Sequence, residues 1–141
     1  MQPLKYFINC FTEDFINFSS RARREEFWYY TLFRLVISII LMTFVIISSL
    51  LQINSLIIAS IIALILFMLI SFIPTLAVTV RRFHDVGMSG WMYLINFIPF
   101  GGLFIIIKLI EDGNPYTNKY GNDPKGRGLD FNFETIHNQN I

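Results

Sequence analysis

Residues 35–80 read LVISIILMTFVIISSLLQINSLIIASIIALILFMLISFIPTLAVTV, 46 residues without one Asp, Glu, Lys or Arg. As one helix that stretch would run about 69 Å at 1.5 Å per residue, against a hydrocarbon core about 30 Å thick. It must therefore fold back on itself. Ser48, Ser49, Gln52, Asn54 and Ser55 form its densest polar cluster, which places a tight bend near 52–55. One transmembrane helix is expected over 27–50 and a second over 56–80. A soluble hairpin is a poor alternative, because 141 residues cannot cover two such helices on all sides.

The rest of the chain agrees. Hydrophobic residues make up 54% and charged residues 15% of the sequence, well under the roughly 25% charge of a soluble domain. The net charge of +1 gives no basic field for nucleic acid. A single cysteine, Cys10, excludes an internal disulfide framework and a cysteine-based zinc cluster.

A third apolar stretch, 91–107, is just long enough to cross, although Pro99, Gly101 and Gly102 interrupt its second half. A full third span is the favoured expectation and a re-entrant segment the alternative. Before the first span, Leu4, Phe7, Ile8, Phe11, Phe15 and Phe18 recur at three- and four-residue spacing. That pattern predicts an amphipathic helix over 3–20, lying on the membrane surface or packed on the protein's own spans. No secretory signal peptide is recognisable. Residues 1–125 are expected to form one membrane domain, and 126–141 a polar, flexible tail.

Lys5, Arg21, Arg23 and Arg24 precede the first span, Arg81 and Arg82 follow the second, and the bend is uncharged. The positive-inside rule then puts the N-terminus in the cytoplasm. A third full span would carry Lys108, Lys119, Lys125 and Arg127 outside, which counts against it. Trp28, Tyr29, Tyr30, Trp91 and Tyr93 follow the two arginine clusters, as interfacial aromatics do.

The candidate polar groups gather beside the spans. In RARREEFW (21–28), helical spacing would pair Arg21 with Glu25 and Arg23 with Glu26. In RRFHDVGMSGW (81–91), Arg81 and Arg82 close the span, while His84 and Asp85 point different ways. Asp85 is expected to pair with Arg23, Arg24 or Arg34, in a structural salt-bridge cluster or a ligand site. Arg34 lies inside the apolar stretch and must snorkel to the interface or find an acid, such as Asp85, Glu26, Glu111 or Asp112. Two rows of small residues, Ser55/Ala59/Ala63 and Ser71/Thr75/Thr79, suit close helix packing. No nucleophile motif, metal-ligand set or phosphate loop is present, and His137 stands apart in the tail.

These residues also carry a family resemblance. Ser20, Arg21, Arg24, Glu26, Phe27 and Trp28 match one motif, with Ser20 in place of the usual Gly. Arg81, Arg82, Phe83, His84, Asp85, Ser89, Gly90 and Trp91 match a second, with Met92 in place of a second Trp. Ile98, Pro99 and Gly101 match a third. Gly113, Asn118, Tyr120, Gly121, Asp123 and Pro124 match a fourth. The sequence thereby resembles the domain of unknown function 805 family of small bacterial inner-membrane proteins. The resemblance implies a multi-span membrane protein, brings no reaction with it, and suggests that the Arg81–Asp85 and Asn118–Pro124 segments work as a pair.

The expected fold is thus an all-α integral membrane protein: a two-helix transmembrane hairpin, a third shorter membrane segment and an N-terminal amphipathic surface helix. Its expected partners are the lipid bilayer and a second copy or another membrane protein, with no nucleic acid and no cofactor. The expected role is a non-enzymatic scaffold, accessory subunit or envelope-stress factor. A small oligomeric transporter or channel, with Arg34, His84 and Asp85 lining its path, is the alternative.

Overall fold

The computed structural model describes residues 3–127; the tail beyond them, His137 included, lies outside the described residues. Two long helices form the body, α2 (Arg24–Leu50) and α3 (Asn54–Asp85). At 1.5 Å per residue they measure about 40 and 48 Å, so both exceed a bilayer core. The expected spans 27–50 and 56–80 fall inside them. Both lose their regular backbone at the predicted bend, where Gln52 adopts a left-handed conformation with φ 55°.

The hairpin closes along one seam. On α2 the more buried positions are Phe27, Tyr30, Arg34, Ile37, Leu41, Val45 and Ser48; on α3 they are Ile57, Ser60, Leu64, Phe67, Ser71, Pro74 and Val78. The α3 positions alternate strictly by three and four, the spacing of a coiled-coil stripe. Off the seam the middle of the hairpin is mostly apolar and exposed, including Leu35, Ile39, Phe44, Ile58, Ile62 and Leu69. A soluble protein does not leave such a surface uncovered; lipid covers it without cost. The two small-residue rows separate here. Ser71, Thr75 and Thr79 turn inward, and the Tyr30 hydroxyl donates to the Ser71 carbonyl at 3.1 Å and lies 3.0 Å from Thr75 Oγ1. Ser55, Ala59 and Ala63 remain exposed.

The N-terminal helix is shorter than its periodicity suggests. α1 spans Pro3–Phe11 rather than 3–20. Polar side chains then bond locally: the Thr12 hydroxyl donates to the Ile8 carbonyl, the Asn17 side-chain amide donates to the Asp14 carboxylate, and Asn17 Oδ1 accepts from the Ser19 N–H. Phe15 and Phe18 therefore lie past the helix end. The face of α1 packs on the hairpin, with Tyr6 and Cys10 buried, Phe7 stacked on Tyr30 at 5.8 Å and Tyr6 stacked on Tyr29 at 6.2 Å.

The stretch 91–107 is not one helix. A 3-10 helix (Gly90–Phe97) and α4 (Gly101–Ile110) are separated by a sharp corner at Pro99 and Phe100. Pro99 offers no N–H to continue a helix, Phe100 takes φ 64°, and a Cβ on Gly101 would collide with the Ile95 carbonyl. Each piece is only about 15 Å long, half of what crossing requires. Both ends return to the C-terminal end of α3. A Cβ on Gly90 would press on Val80, and the Asn114 N–H donates to the Asp85 carbonyl at 2.8 Å. The interruption expected at Pro99, Gly101 and Gly102 is thus a full break between two short helices.

Candidate functional site

The chain's buried charges meet where α2 begins and α3 ends. α3 continues past its apolar stretch to Asp85, so its last turn lifts Arg81, Arg82, His84 and Asp85 above the hairpin as a buried ledge. Residues 20–23 are not helical and cross this ledge as extended chain. The Ala22 N–H donates to the Arg81 carbonyl at 3.0 Å, and Ala22 is fully buried. The expected helical pairs Arg21–Glu25 and Arg23–Glu26 are therefore not formed. α2 begins only at Arg24, so the side chains at 21 and 23 do not share a helix face with 25 and 26.

Asp85 lies at the centre, almost wholly buried. Arg21 Nε donates to Asp85 Oδ1 at 3.0 Å, and Arg82 Nη1 pairs with Asp85 Oδ2. Its partners are thus Arg21 and Arg82, not Arg23, Arg24 or Arg34 as the spacing suggested; the extended 20–23 segment delivers Arg21 first. The remaining guanidinium donors go to backbone carbonyls. Arg21 donates to Asn114 at 2.5 Å, Tyr116 at 2.8 Å, Gly121 at 3.1 Å and Asp85 at 3.3 Å. Arg82 donates to the carbonyls of Leu109, at 3.2 Å, and Glu111. Buried arginines are tolerable when their planar fork is filled in this way. Here the fork clips the 109–121 strap onto the hairpin.

A second pairing flanks the first. Arg81 Nη1 lies 2.8 Å from Glu26 and 3.1 Å from Asp14, and Arg81 Nη2 approaches Cys10 Sγ at 3.7 Å. Arg81 thereby ties α1, its following turn and α2 to α3. Burial pushes the Cys10 thiol up to about 12, so it stays protonated and unreactive.

The outer side is built from the strap itself. The rings of His84 and Tyr120 stack in parallel with centroids 3.6 Å apart. His84 Nδ1 lies 3.3 Å from the Ser20 carbonyl, and Asn118 Nδ2 donates to the His84 carbonyl at 2.9 Å. Asn118 Oδ1 in turn accepts from the Tyr120 N–H, and a short bridge links Asn118 to Gly121. Asp123 accepts from Arg127 Nε at 2.7 Å, and Arg127 Nη2 reaches the Gly113 carbonyl at 2.9 Å. Hydrogen bonding to Arg127 holds Asp123 well below the usual carboxylate range; bonding to Lys125 holds Asp112 low in the same way. A Cβ on Gly113 would collide with the Asp85 carboxylate, so the strap fits only because position 113 is bare.

Arg21, Glu26, Arg81, Arg82, His84, Asp85, Asn118 and Tyr120 thus meet in one polar knot, with Asp123 at its rim. Arg24 is exposed and stays outside it. Arg34 also stays outside: it sits three turns along α2 on the seam, and no acid pairs with it among the described residues. Asp14, Cys10, Asn114 and Arg127 take part without having been singled out in the sequence. Asn114 and Arg127 act through a carbonyl or toward one, which residue type does not advertise. Among the described residues no cluster of three metal-ligating side chains exists.

Comparison with known proteins gives the family. The family described as protein of unknown function (DUF805) matches residues 15–122, a span that holds the whole hairpin and nearly all of the knot. Inner membrane protein YhaI of Escherichia coli (strain K12) is 36% identical over 115 residues, 80% of this chain and 90% of that protein. Inner membrane protein YhaH of the same strain is 33% identical over 114 residues, 80% of this chain and 91% of that protein. No solved structure matches. The chain belongs to the DUF805 family.

Proposed function

We propose that this member of the DUF805 family is a non-enzymatic membrane protein that acts by assembly, as a scaffold, accessory subunit or envelope-stress factor of the bacterial inner membrane. One observation carries the reading: the charges of the knot are paired within it, although Arg81 Nε is left without a hydrogen bond. Both Asp85 oxygens are engaged, and Arg21 donates to four backbone carbonyls. General acid–base work needs a group within reach of a substrate proton, and Asp85 is 1% exposed. What the molecule presents outward is apolar helix. The exposed Ser55/Ala59/Ala63 row lets another helix approach closely. The partner is a second copy or another membrane protein, and neither nucleic acid nor a cofactor is part of the reading.

The same reading sets the topology. All eleven Lys and Arg residues lie on the knot side of the hairpin's midpoint, and none lies at the bend. The positive-inside rule then favours a cytoplasmic knot and N-terminus, with the bend outside. The tail cations, which a third full span would have exported, share that side if 91–110 enters and leaves the membrane at one face.

Crosslinking in native membranes followed by co-purification tests the assembly reading. A specific adduct with a second copy or a membrane partner is expected. A strictly monomeric protein in mild detergent, with no partner recovered, overturns it.

A second reading, a small oligomeric transporter or channel, is favoured by Arg34, a charge inside a span. Unchanged solute flux in liposomes after Arg34→Ala ends it. His84 and Asp85 lend it little support within one copy, since Asp85 is locked between two arginines and His84 is covered by Tyr120.

A further inference from the structure

Arg34 differs from the arginines of the knot. Arg21, Arg23, Arg81, Arg82 and Arg127 each have protein partners. Arg34 is half-buried on the α2–α3 seam; its Nε, like that of Arg81, is buried with no hydrogen-bond partner, but unlike Arg81 it has no acid beside it among the described residues. A guanidinium carries five donors and cannot neutralise itself by losing a proton, so an unpaired one beside hydrocarbon calls for an anion.

A cavity of about 410 Å³ lies against it. Ser71 and Thr75 of α3 give it a polar wall, Tyr93 of the 3-10 helix closes the other side, and Met68 and Phe72 give it an apolar end. The Tyr93 hydroxyl has no partner among the described residues, so a second donor is available there. The cavity has a direction. Thr75 marks the end nearer the knot; Met68, seven residues and about 10 Å along the helix, marks the end nearer the bend. Its depth is also fixed. Arg34 is 17 residues from Leu51, about 26 Å at helical rise, in a hydrocarbon core about 30 Å thick. With the bend at one membrane face, Arg34 lies just inside the other, at the level of lipid ester and phosphate groups.

We propose that this cavity binds an anionic phospholipid, one whose phosphate charge is not already balanced by a cation in its own headgroup. The phosphate sits on Arg34, with Tyr93 as second donor, and an acyl chain runs along Phe72 and Met68 toward the bend. A charge-assisted phosphate–guanidinium contact supplies the missing counter-charge. The apolar end distinguishes a lipid from free phosphate, which would fill only the Arg34 end. The inference does not depend on the assembly reading, because it concerns a cavity within one copy.

The test is native mass spectrometry of the full chain in mild detergent. The protein is titrated with phosphatidylglycerol, with phosphatidylcholine and with inorganic phosphate. The wild type is expected to hold phosphatidylglycerol about tenfold more tightly than phosphatidylcholine. Arg34→Gln loses that preference, Arg34→Lys restores part of it, and Lys5→Gln, on the exposed face of α1, leaves it intact. Tyr93→Phe weakens binding a few-fold and carries the test should Arg34→Gln fail to fold. Equal binding of the two lipids, an Arg34→Gln protein as selective as wild type, or displacement of the lipid by millimolar inorganic phosphate overturns the proposal.

Discussion

Arg21 and Asp85 stand 64 residues apart in sequence and share a hydrogen bond of 3.0 Å at the buried centre of the knot. Asp85 also holds Arg82, so one carboxylate balances two guanidinium groups. The three segments that meet here, at 20–26, 81–85 and 109–121, are joined through charge beside an apolar cluster to which they lend Ala22, Phe83 and Leu109. Such a junction is brittle: removing one partner of a buried pair strands the other.

Asp85→Asn leaves Arg21 and Arg82 without a counter-charge. The expected cost is about 3 kcal/mol or more, read as a lowered midpoint of thermal unfolding in detergent. Arg21→Gln combined with Asp85→Asn costs less than the sum of the single changes, because the two residues share one interaction. Additive losses would show that the pair is not coupled.

Gly113→Ala places a methyl group against the Asp85 carboxylate. The strap over 109–121 is expected to detach while the hairpin persists. Limited proteolysis checks this: cleavage near Tyr116 and Lys119 accelerates several-fold, and helical circular dichroism is nearly unchanged.

Lys119 is exposed on the strap, so Lys119→Cys reports the side on which the knot lies. With the knot in the cytoplasm, an impermeant maleimide leaves the introduced thiol unlabelled in intact cells and labels it after permeabilisation. Native Cys10 does not confuse the readout. With its thiol pushed up to about 12, only on the order of one molecule in ten thousand is thiolate at about pH 8. Cys10 should react only after denaturation.

The carboxylates of Asp112 and Asp123 are both held below their ordinary value of 3.8, by Lys125 and Arg127 respectively. A depressed carboxylate stabilises the folded form above that ordinary value and loses its contribution as pH falls through the lower folded value. Amide protection over 122–127, measured against the intrinsic exchange rate at each pH, is therefore expected to fall as pH drops below about 4. Arg127→Gln should already show faster exchange at neutral pH.

The hairpin was legible because its cause is local: an absence of charge from Leu35 to Val80 and a polar bend at Gln52 say where lipid and water must be. The knot was legible in composition but not in pairing. Helical spacing assigned Arg21 to Glu25, yet the extended backbone at 20–23 hands Arg21 to Asp85. Nothing within a few residues of Arg21 records that choice. The segment 91–107 was legible only in part, for a related reason. Its hydropathy is that of a span, while the corner at Phe100 depends on Gly101 lying against the Ile95 carbonyl, a contact that composition does not encode. The N-terminal periodicity likewise ran past the point where Thr12 and Asn17 divert the backbone.

The linker between the two long helices has a consequence for biosynthesis. Only 51–53 separate them, and none of these residues is ionised. On the topology proposed above, nothing hydrophilic of any size has to be exported when the chain leaves the ribosome. The two limbs would then partition into lipid together, as a single preformed loop, with every ionised side chain but Arg34 staying on the side where it was made.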